Sequence, residues 1–205
     1  MVDKPEMKTQ EPQHGYLMPD IQSEMNPRPK IEDDNYKGSD KLKGKTAMIT
    51  GGDSGIGQAV AAAFAKEGAD VAIVYYEADR DAEETKKLVE KQGRKCLTIK
   101  GDVGDPHDGE QAVQQTIDEF GQLDILVNNA GEQHYCERLE DISDEQLDRT
   151  FRTNIFSMFY LTRAAMKHLP KGGAIINSTS ITAYQGEPNL LDYSSTKGAI
   201  VSFTR

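Results

Sequence analysis

Two side chains near the end of the sequence stand at a chemically suggestive interval. Tyr193 and Lys197, within DYSSTKGAIVSFTR, are i and i+4, and on a helix that spacing puts them on one face. A phenol is a poor acid–base group at neutral pH. An ammonium beside it favours the phenolate, so the pair could give a proton to a carbonyl oxygen or take one from an alcohol. Alone, the spacing is common and fits a surface pair better. It gains weight from Ser180, thirteen residues upstream of Tyr193 and just past AIINSTS, whose hydroxyl could hold a substrate oxygen. Asn154, inside FRTNIFSMFYLT, is an amide among apolar neighbours and needs hydrogen-bond partners. A water relay to the lysine and a capped backbone carbonyl meet that need equally well.

Such groups need a scaffold, and the sequence supplies one from residue 45 onward. KTAMIT, ADVAIVYY, KCLTIK, LDILVNN and GGAIINSTS read as strands. They are continuous apolar runs, as expected where both faces of a sheet are covered. Helical stretches alternate with them. GIGQAVAAAFAKEGA has Ile56, Val60 and Phe64 at four-residue spacing, and DAEETKKLVEKQG ends in Gly93. DPHDGEQAVQQTIDEFG has Pro106 near its start and Gly121 at its end. SDEQLDRTFRTNIFSMFYLTRAAMKHLP opens on a capping box, Ser143 to Gln146, and is expected to run as one helix to Pro170. The alternation predicts an α/β fold, a doubly wound parallel sheet with right-handed crossovers. The expected strand order is 3-2-1-4-5.

TGGDSGIG joins the first strand to the first helix. Gly51, Gly55 and Gly57 suit a sharp turn, a close backbone approach to a pyrophosphate and tight helix–strand packing. The helix N-terminus offers unpaired N–H groups and partial positive charge. Asp53, Ser54 and Ile56 complete this candidate cofactor turn. In such folds a carboxylate at the end of the second strand favours NAD and an arginine favours NADP. Here Tyr75 and Tyr76 hold those positions, with Glu77 next and Arg80 beyond, so the choice between NAD and NADP stays open. GDV after the third strand adds Asp102 and Val103. Asp102 could accept from an adenine amino group or cap a helix. NNAG ends the fourth strand, where Asn129, Ala130 and Gly131 leave room for a cofactor to lie close.

Composition narrows the classes. The 205 residues carry a net charge of −10, which argues against nucleic acid and anionic membrane surfaces. No apolar run is long enough to span a bilayer. Two cysteines, Cys96 and Cys136, make neither a disulfide framework nor a zinc pattern. The histidines are scattered, and no metal site is expected. No secretory signal is evident, so a cytoplasmic protein, bacterial by these signs, is the expectation. Residues 1–40 are proline-rich and charged, with few aliphatic side chains. They read as a disordered tail or as an extended arm anchored by Tyr16, Leu17, Met18, Ile21, Met25 and Ile31. Residues 41–205 form the nucleotide-binding domain.

Taken together, TGGDSGIG, NNAG, Asn154, Ser180, Tyr193 and Lys197 resemble, in order and spacing, the short-chain dehydrogenase/reductases. The resemblance runs from about residue 43 to the end. It implies that Tyr193 is the acid/base and that Lys197 favours its phenolate and holds the nicotinamide ribose. It also implies that Ser180 orients the substrate oxygen, that Asn154 anchors a proton-relay water, and that Asn129, Ala130 and Gly131 line the cofactor site. The proline-rich arm is similar to a bacterial subgroup related to glucose dehydrogenases and general stress oxidoreductases. The expected function is an NAD(P)-dependent interconversion of alcohol and carbonyl, by a homotetramer. The alternative is a non-catalytic nucleotide-binding or interaction protein. Family chains continue into a sixth and a seventh strand, so the sequence is expected to be a fragment whose fifth strand forms an edge. His134, Tyr135, Tyr184 and Gln185 should make a partly polar pocket, compatible with a sugar, a polyol or a small carbonyl.

Overall fold

The computed structural model describes residues 21–33 and 35–205. The arm positions Tyr16, Leu17 and Met18 lie outside the described residues. Five strands form one parallel sheet: β1 (Thr46–Thr50), β2 (Asp70–Tyr75), β3 (Cys96–Lys100), β4 (Ile125–Asn128) and β5 (Ala174–Asn177). Their order is β3-β2-β1-β4-β5. Thr46 stands opposite Asp70 and Met48 opposite Leu126, with β1 in the centre.

The unbroken apolar runs have a direct cause. Side chains alternate across a strand, and both faces of this sheet are covered. Ala47 and Ile49 point one way, with Val71, Ile73 and Val127, into a core closed by Ala61, Ala65, Ala82 and Val89. Those four come from α1 (Gly55–Lys66) and α2 (Asp79–Lys91). Met48 points the other way, with Ala72, Val74 and Leu126, against Ala112, Val113, Leu161, Ala164 and Ala165. These come from α3 (Pro106–Phe120) and α5 (Ser157–Ala165).

One expectation about helices changes, and one helix is packed by its smallest side chains. The stripe Ile56–Val60–Phe64 is not the innermost face of α1. Gly57, Ala61, Ala62 and Ala65 are buried there, whereas Ile56 is 71% exposed. The helix lies so close to its strand that only small side chains fit beneath it. A Cβ on Gly57 would stand 1.9 Å from the Gly51 carbonyl oxygen. The long helix after Ser143 is also not uniform. Ser143 caps it as expected, its Oγ accepting from the Gln146 N–H at 3.1 Å. After α4 (Asp144–Phe151), however, residues Arg152–Phe156 form a π-helical segment before α5 begins, and α5 ends at Ala165. Such segments widen the helix by one residue and often mark functional sites. Asn154 sits in the middle of this one.

Two helices complete the reactive end, the short α6 (Thr182–Gln185) and the longer α7 (Leu191–Thr204). Ile21–Asp33 lies along α1 and α2, with a 3-10 turn at Gln22–Glu24. Arg28 pairs with Glu84 at 3.4 Å, and Lys66 and Lys91 both pair with Glu32.

Candidate active site

The site lies at the C-terminal ends of β1, β4 and β5, where parallel sheets bind ligands. The β1 end and the β4 end are tied together by Thr50 and Asn129. The Thr50 hydroxyl accepts from the N–H groups of Asn129 and Ala130, both at 3.0 Å. The Asn129 amide donates to the carbonyls of Thr50 at 3.1 Å and Gly51 at 3.2 Å. The glycine turn is thus fixed against NNAG. Gly51 has φ +60°, and a Cβ there would meet Ala130 Cα at 3.0 Å. Gly55 has φ +51°, and no atom lies within 4 Å of where its Cβ would be. The Cβ side of Gly55, at the positive end of α1, therefore faces open space, which leaves room for an incoming phosphate.

Tyr193 and Lys197 share one face of α7. The Lys197 ammonium is 5.2 Å from the centre of the Tyr193 ring and donates to the Ser178 carbonyl at 3.1 Å. Lys197 is buried, and burial pulls its ammonium below the ordinary lysine range. Gly131 makes room for this group, since a Cβ there would stand 3.5 Å from Lys197 Nζ and 3.3 Å from Asn154 Oδ1. Ser178 also donates from its hydroxyl to Asn129 Oδ1 at 3.2 Å, which links the lysine to the cofactor turn.

Asn154 is fully buried and its side chain clamps the backbone of one residue, Glu132. Its Oδ1 accepts from the Glu132 N–H at 2.8 Å, and its Nδ2 donates to the Glu132 carbonyl at 2.9 Å. The same Nδ2 reaches Thr196 Oγ1 at 3.1 Å, and Thr196 donates to the Tyr193 carbonyl at 2.6 Å. Among the described residues, these bonds make Asn154 a cap on the Glu132 backbone. Ser180 is less integrated. Its Oγ accepts from the N–H and the hydroxyl of Thr182 at 3.2 and 3.1 Å, where α6 begins. Among the described residues no hydrogen bond joins it to Tyr193.

At the far end of the site, Asp102 accepts from the Gly104 N–H at 2.8 Å and pairs with Arg149. The cap of α3 is Asp105, which accepts from the His107 N–H at 2.7 Å. Asp102 is therefore not a helix cap. Val103 is buried in the core and offers a cofactor only its backbone. Tyr75 donates to Asp79 at 2.8 Å, and burial together with that carboxylate pushes its phenol up to about 12. Tyr76 is 54% exposed, with the Arg149 guanidinium 5.2 Å above its ring. Asp53 is raised by burial. His134 lies 3.6 Å from Glu132, while Tyr135 and Tyr184 are exposed at the rim. Arg149, Thr50, Ser178 and Thr196 escaped the sequence reading. Thr196, inside the Tyr193–Lys197 interval, and Thr50, just before the glycine turn, carried a positional signal. Arg149 carried none. Both cysteines are free, no candidate metal cluster exists among the described residues, and no described helix is long and apolar enough to cross a membrane.

A five-stranded 3-2-1-4-5 sheet, a glycine turn opening its first helix and a tyrosine–lysine pair beside it define a short-chain dehydrogenase architecture. Residues 45–205 match the short chain dehydrogenase family, and the chain belongs to that family. It is 65% identical over 196 residues to the uncharacterised oxidoreductase YhdF of Bacillus subtilis, covering 96% of this chain and 68% of that one. General stress protein 39 of the same organism is 62% identical over 187 residues, 91% of this chain and 65% of that one. Glucose and ribitol dehydrogenase homolog 2 of Arabidopsis thaliana is 47% identical over 200 residues, covering 95% and 69%. Among solved structures, a short chain dehydrogenase from Burkholderia cenocepacia J2315 in complex with NADP superposes with TM-score 0.78. It is 36% identical, over 80% of this chain and 67% of that one. The chain spans about two thirds of the length of these relatives.

Proposed function

We propose that this chain carries the nucleotide site and the proton-transfer group of an NAD(P)-dependent oxidoreductase that interconverts an alcohol and a carbonyl. The observation that carries the reading is the buried Lys197 ammonium, 5.2 Å from the Tyr193 ring and joined through Ser178 to Asn129 beside the glycine turn. A surface pair would need neither the burial nor that connection. The open space beside Gly55 and the close fit at Gly51 and Gly57 suit a dinucleotide phosphate, and a relative of this fold was solved in complex with NADP.

A bound nicotinamide supplies the hydride donor or acceptor. The chain's own residues do the rest. Tyr193 moves the proton at the substrate oxygen, and Lys197 favours the phenolate while one of the donors left by Ser178 reaches a cofactor hydroxyl. Ser180 turns its hydroxyl from Thr182 to the substrate oxygen. Asn154 fixes the Glu132 backbone and, through Thr196, the first turn of α7. The residues 51, 53–57, 75, 76, 102, 103 and 129–131 form the cofactor surface. Substrates are small alcohols or carbonyls of the sugar, polyol or aldehyde kind, as the polar rim of His134, Tyr135, Tyr184 and Gln185 suggests. The net charge of −10 favours neither nucleic acid nor an anionic membrane as a partner. A cytoplasmic homotetramer completes the reading, on family resemblance.

The test uses the full-length protein with NADH and NADPH, because Tyr76 satisfies neither cofactor rule. Nicotinamide fluorescence measures binding, and a panel of sugars, polyols and aldehydes measures turnover. Tyr193→Phe should lower turnover by about a thousandfold with cofactor affinity unchanged. Undiminished turnover in that variant would sink the mechanism. Binding without turnover across the whole panel would favour a non-catalytic nucleotide-binding protein instead.

A further inference from the structure

The N-terminal segment reaches the cofactor turn, and it does so through a single buried amide. Ser54 occupies the N-cap of α1, but its side chain makes no capping bond. The cap comes from Gln22, 33 residues away, whose Oε1 accepts from the Gly55 N–H at 2.7 Å. Gln22 Nε2 donates to Gln58 Oε1 at 2.6 Å. Gln58 Nε2 then donates to Thr85 Oγ1 at 2.8 Å and to the Asp53 carbonyl at 3.2 Å, and Thr85 donates to the same carbonyl at 3.0 Å. Two peptide groups of the turn, the Gly55 N–H and the Asp53 carbonyl, are therefore held from outside it.

The chain of bonds runs in one sense only. The Gly55 donor turns the Gln22 oxygen toward the turn, which leaves its NH2 for Gln58, which in turn sends its own NH2 to Asp53. The segment is seated by a second tie. The N–H groups of Gln22 and Ser23 donate to the Asp81 carboxylate at 2.6 and 3.1 Å. Gln22, Gln58, Asp81 and Thr85 are all buried, so these bonds do not exchange freely with water. Asp53 and Asp81 already place two carboxyl groups here, and a neutral side chain at position 22 adds no further charge where a phosphate must arrive. Of the N–H groups that open α1 without an intrahelical acceptor, Gln22 takes that of Gly55 and leaves those of Ile56 and Gly57.

We propose that Gln22 is a positioning residue for dinucleotide binding, with the segment around it clamping the glycine turn in its binding shape. The idea rests on the oxidoreductase reading above. It assigns Gln22 no contact with the reacting atoms.

The experiment compares wild type, Gln22→Met and Gln22→Glu in the full-length protein, measuring Kd for NADH and NADPH by nicotinamide fluorescence and kcat at saturating cofactor. Gln22→Met keeps the length but neither donor nor acceptor. It should raise Kd about three- to tenfold, the scale of one or two lost hydrogen bonds, and leave kcat at saturation unchanged. Gln22→Glu keeps the acceptor but adds charge near the phosphate. It should raise Kd further, and added salt should shrink the excess over Met. A merely structural role would lower the melting temperature without this split between Kd and kcat. A folded Gln22→Met with wild-type Kd would overturn the clamp, and if that variant does not fold, wild-type Kd in Gln22→Glu would do the same. Wild type that binds neither nucleotide would instead bring down the oxidoreductase reading, and the clamp with it.

Discussion

The middle of the sheet and its β5 edge are held in different ways. Around β1 and β2 all positions from Thr46 to Thr50 and from Val71 to Val74 are buried. That half carries helices on both faces, and polar ties converge on the glycine turn from Asn129, Gln22 and Gln58. At β5, the edge of the sheet, Ala174 and Ile176 are exposed. Phe159 and Phe203 pack with ring centres 4.6 Å apart on α5 and α7, with Phe159 half exposed. The glycine turn belongs to the closed half, while Tyr193, Ser180 and Lys197 belong to the open one. The closed half is over-determined by backbone contacts, so substitutions there act on stability first. The open half rests on a few side-chain bonds, so substitutions there act on chemistry first.

Gly57→Ala is the severest way to break this contrast from the closed side. Its new Cβ would stand 1.9 Å from the Gly51 carbonyl oxygen and 2.9 Å from Asn129 Nδ2, and backbone cannot step aside as a flexible side chain can. A loss of about 3 kcal/mol of stability is expected, measured by urea unfolding, and cofactor binding should fail with it. Unchanged stability would mean that the turn is less constrained than its contacts indicate.

Lys197→Met tests the open side and should move the other quantity. Turnover should fall about a hundredfold, while the melting temperature at neutral pH should stay within a few degrees of wild type. The sign follows from burial. The folded state holds the ammonium below its ordinary value of 10.5, so between the lowered value and 10.5 the unfolded chain binds more protons. Stability gained from this group therefore rises as pH climbs through that window. Methionine removes both the buried charge and that alkaline dependence. Thermal melts from pH 7 to 11 on both proteins would show it, and a large loss of stability at pH 7 would make Lys197 a structural residue first.

Much of this contrast could be read from residue types, and the unreadable part has physical causes. The parallel sheet followed from apolar runs that only a sheet covered on both faces can bury, and its strand order from the alternation of strands and helices that marks the doubly wound fold. Tyr193 and Lys197 stood out because their chemistry depends on a local interval, which a helix preserves. Asn154 was visible as an amide among apolar residues, but its π-helical setting was not, because RTNIF has no composition that an ordinary helix would refuse. Ile56, Val60 and Phe64 marked α1 as a helix, but four-residue spacing cannot rank that stripe against the alanines beside it. The close approach of α1 to β1, seen only in three dimensions, selected the smaller residues. Gln22 is the extreme case. Its partners are the Gly55 N–H, Gln58 and, through its backbone, Asp81, all distant in sequence, and no periodicity announces such a bond.

The mildest test sharpens how the closed half is fastened below the turn. Glu67, buried where α1 ends, receives the Tyr36 hydroxyl and the N–H groups of Ser39 and Lys41, the latter two at 3.0 Å. Its own carbonyl accepts from the Leu42 N–H at 2.9 Å. The Tyr36 hydroxyl first, then the two N–H groups, bring its carboxyl from 4.5 down to about 2. A carboxyl lowered in the folded state stabilises fully above its unfolded value and loses that contribution as pH falls toward the folded one. The tie should therefore be intact above about pH 4.5 and gone near about pH 2. Glu67→Gln keeps the size but replaces one acceptor oxygen by a donor facing other donors. Its deficit against wild type in urea melts should be largest at neutral pH and shrink steadily below pH 4.5, with the nucleotide Kd at pH 7 unchanged. A deficit that stays constant down to pH 3 would assign the effect to packing rather than to the carboxylate. A raised nucleotide Kd would show that the closed half transmits strain from this joint to the glycine turn.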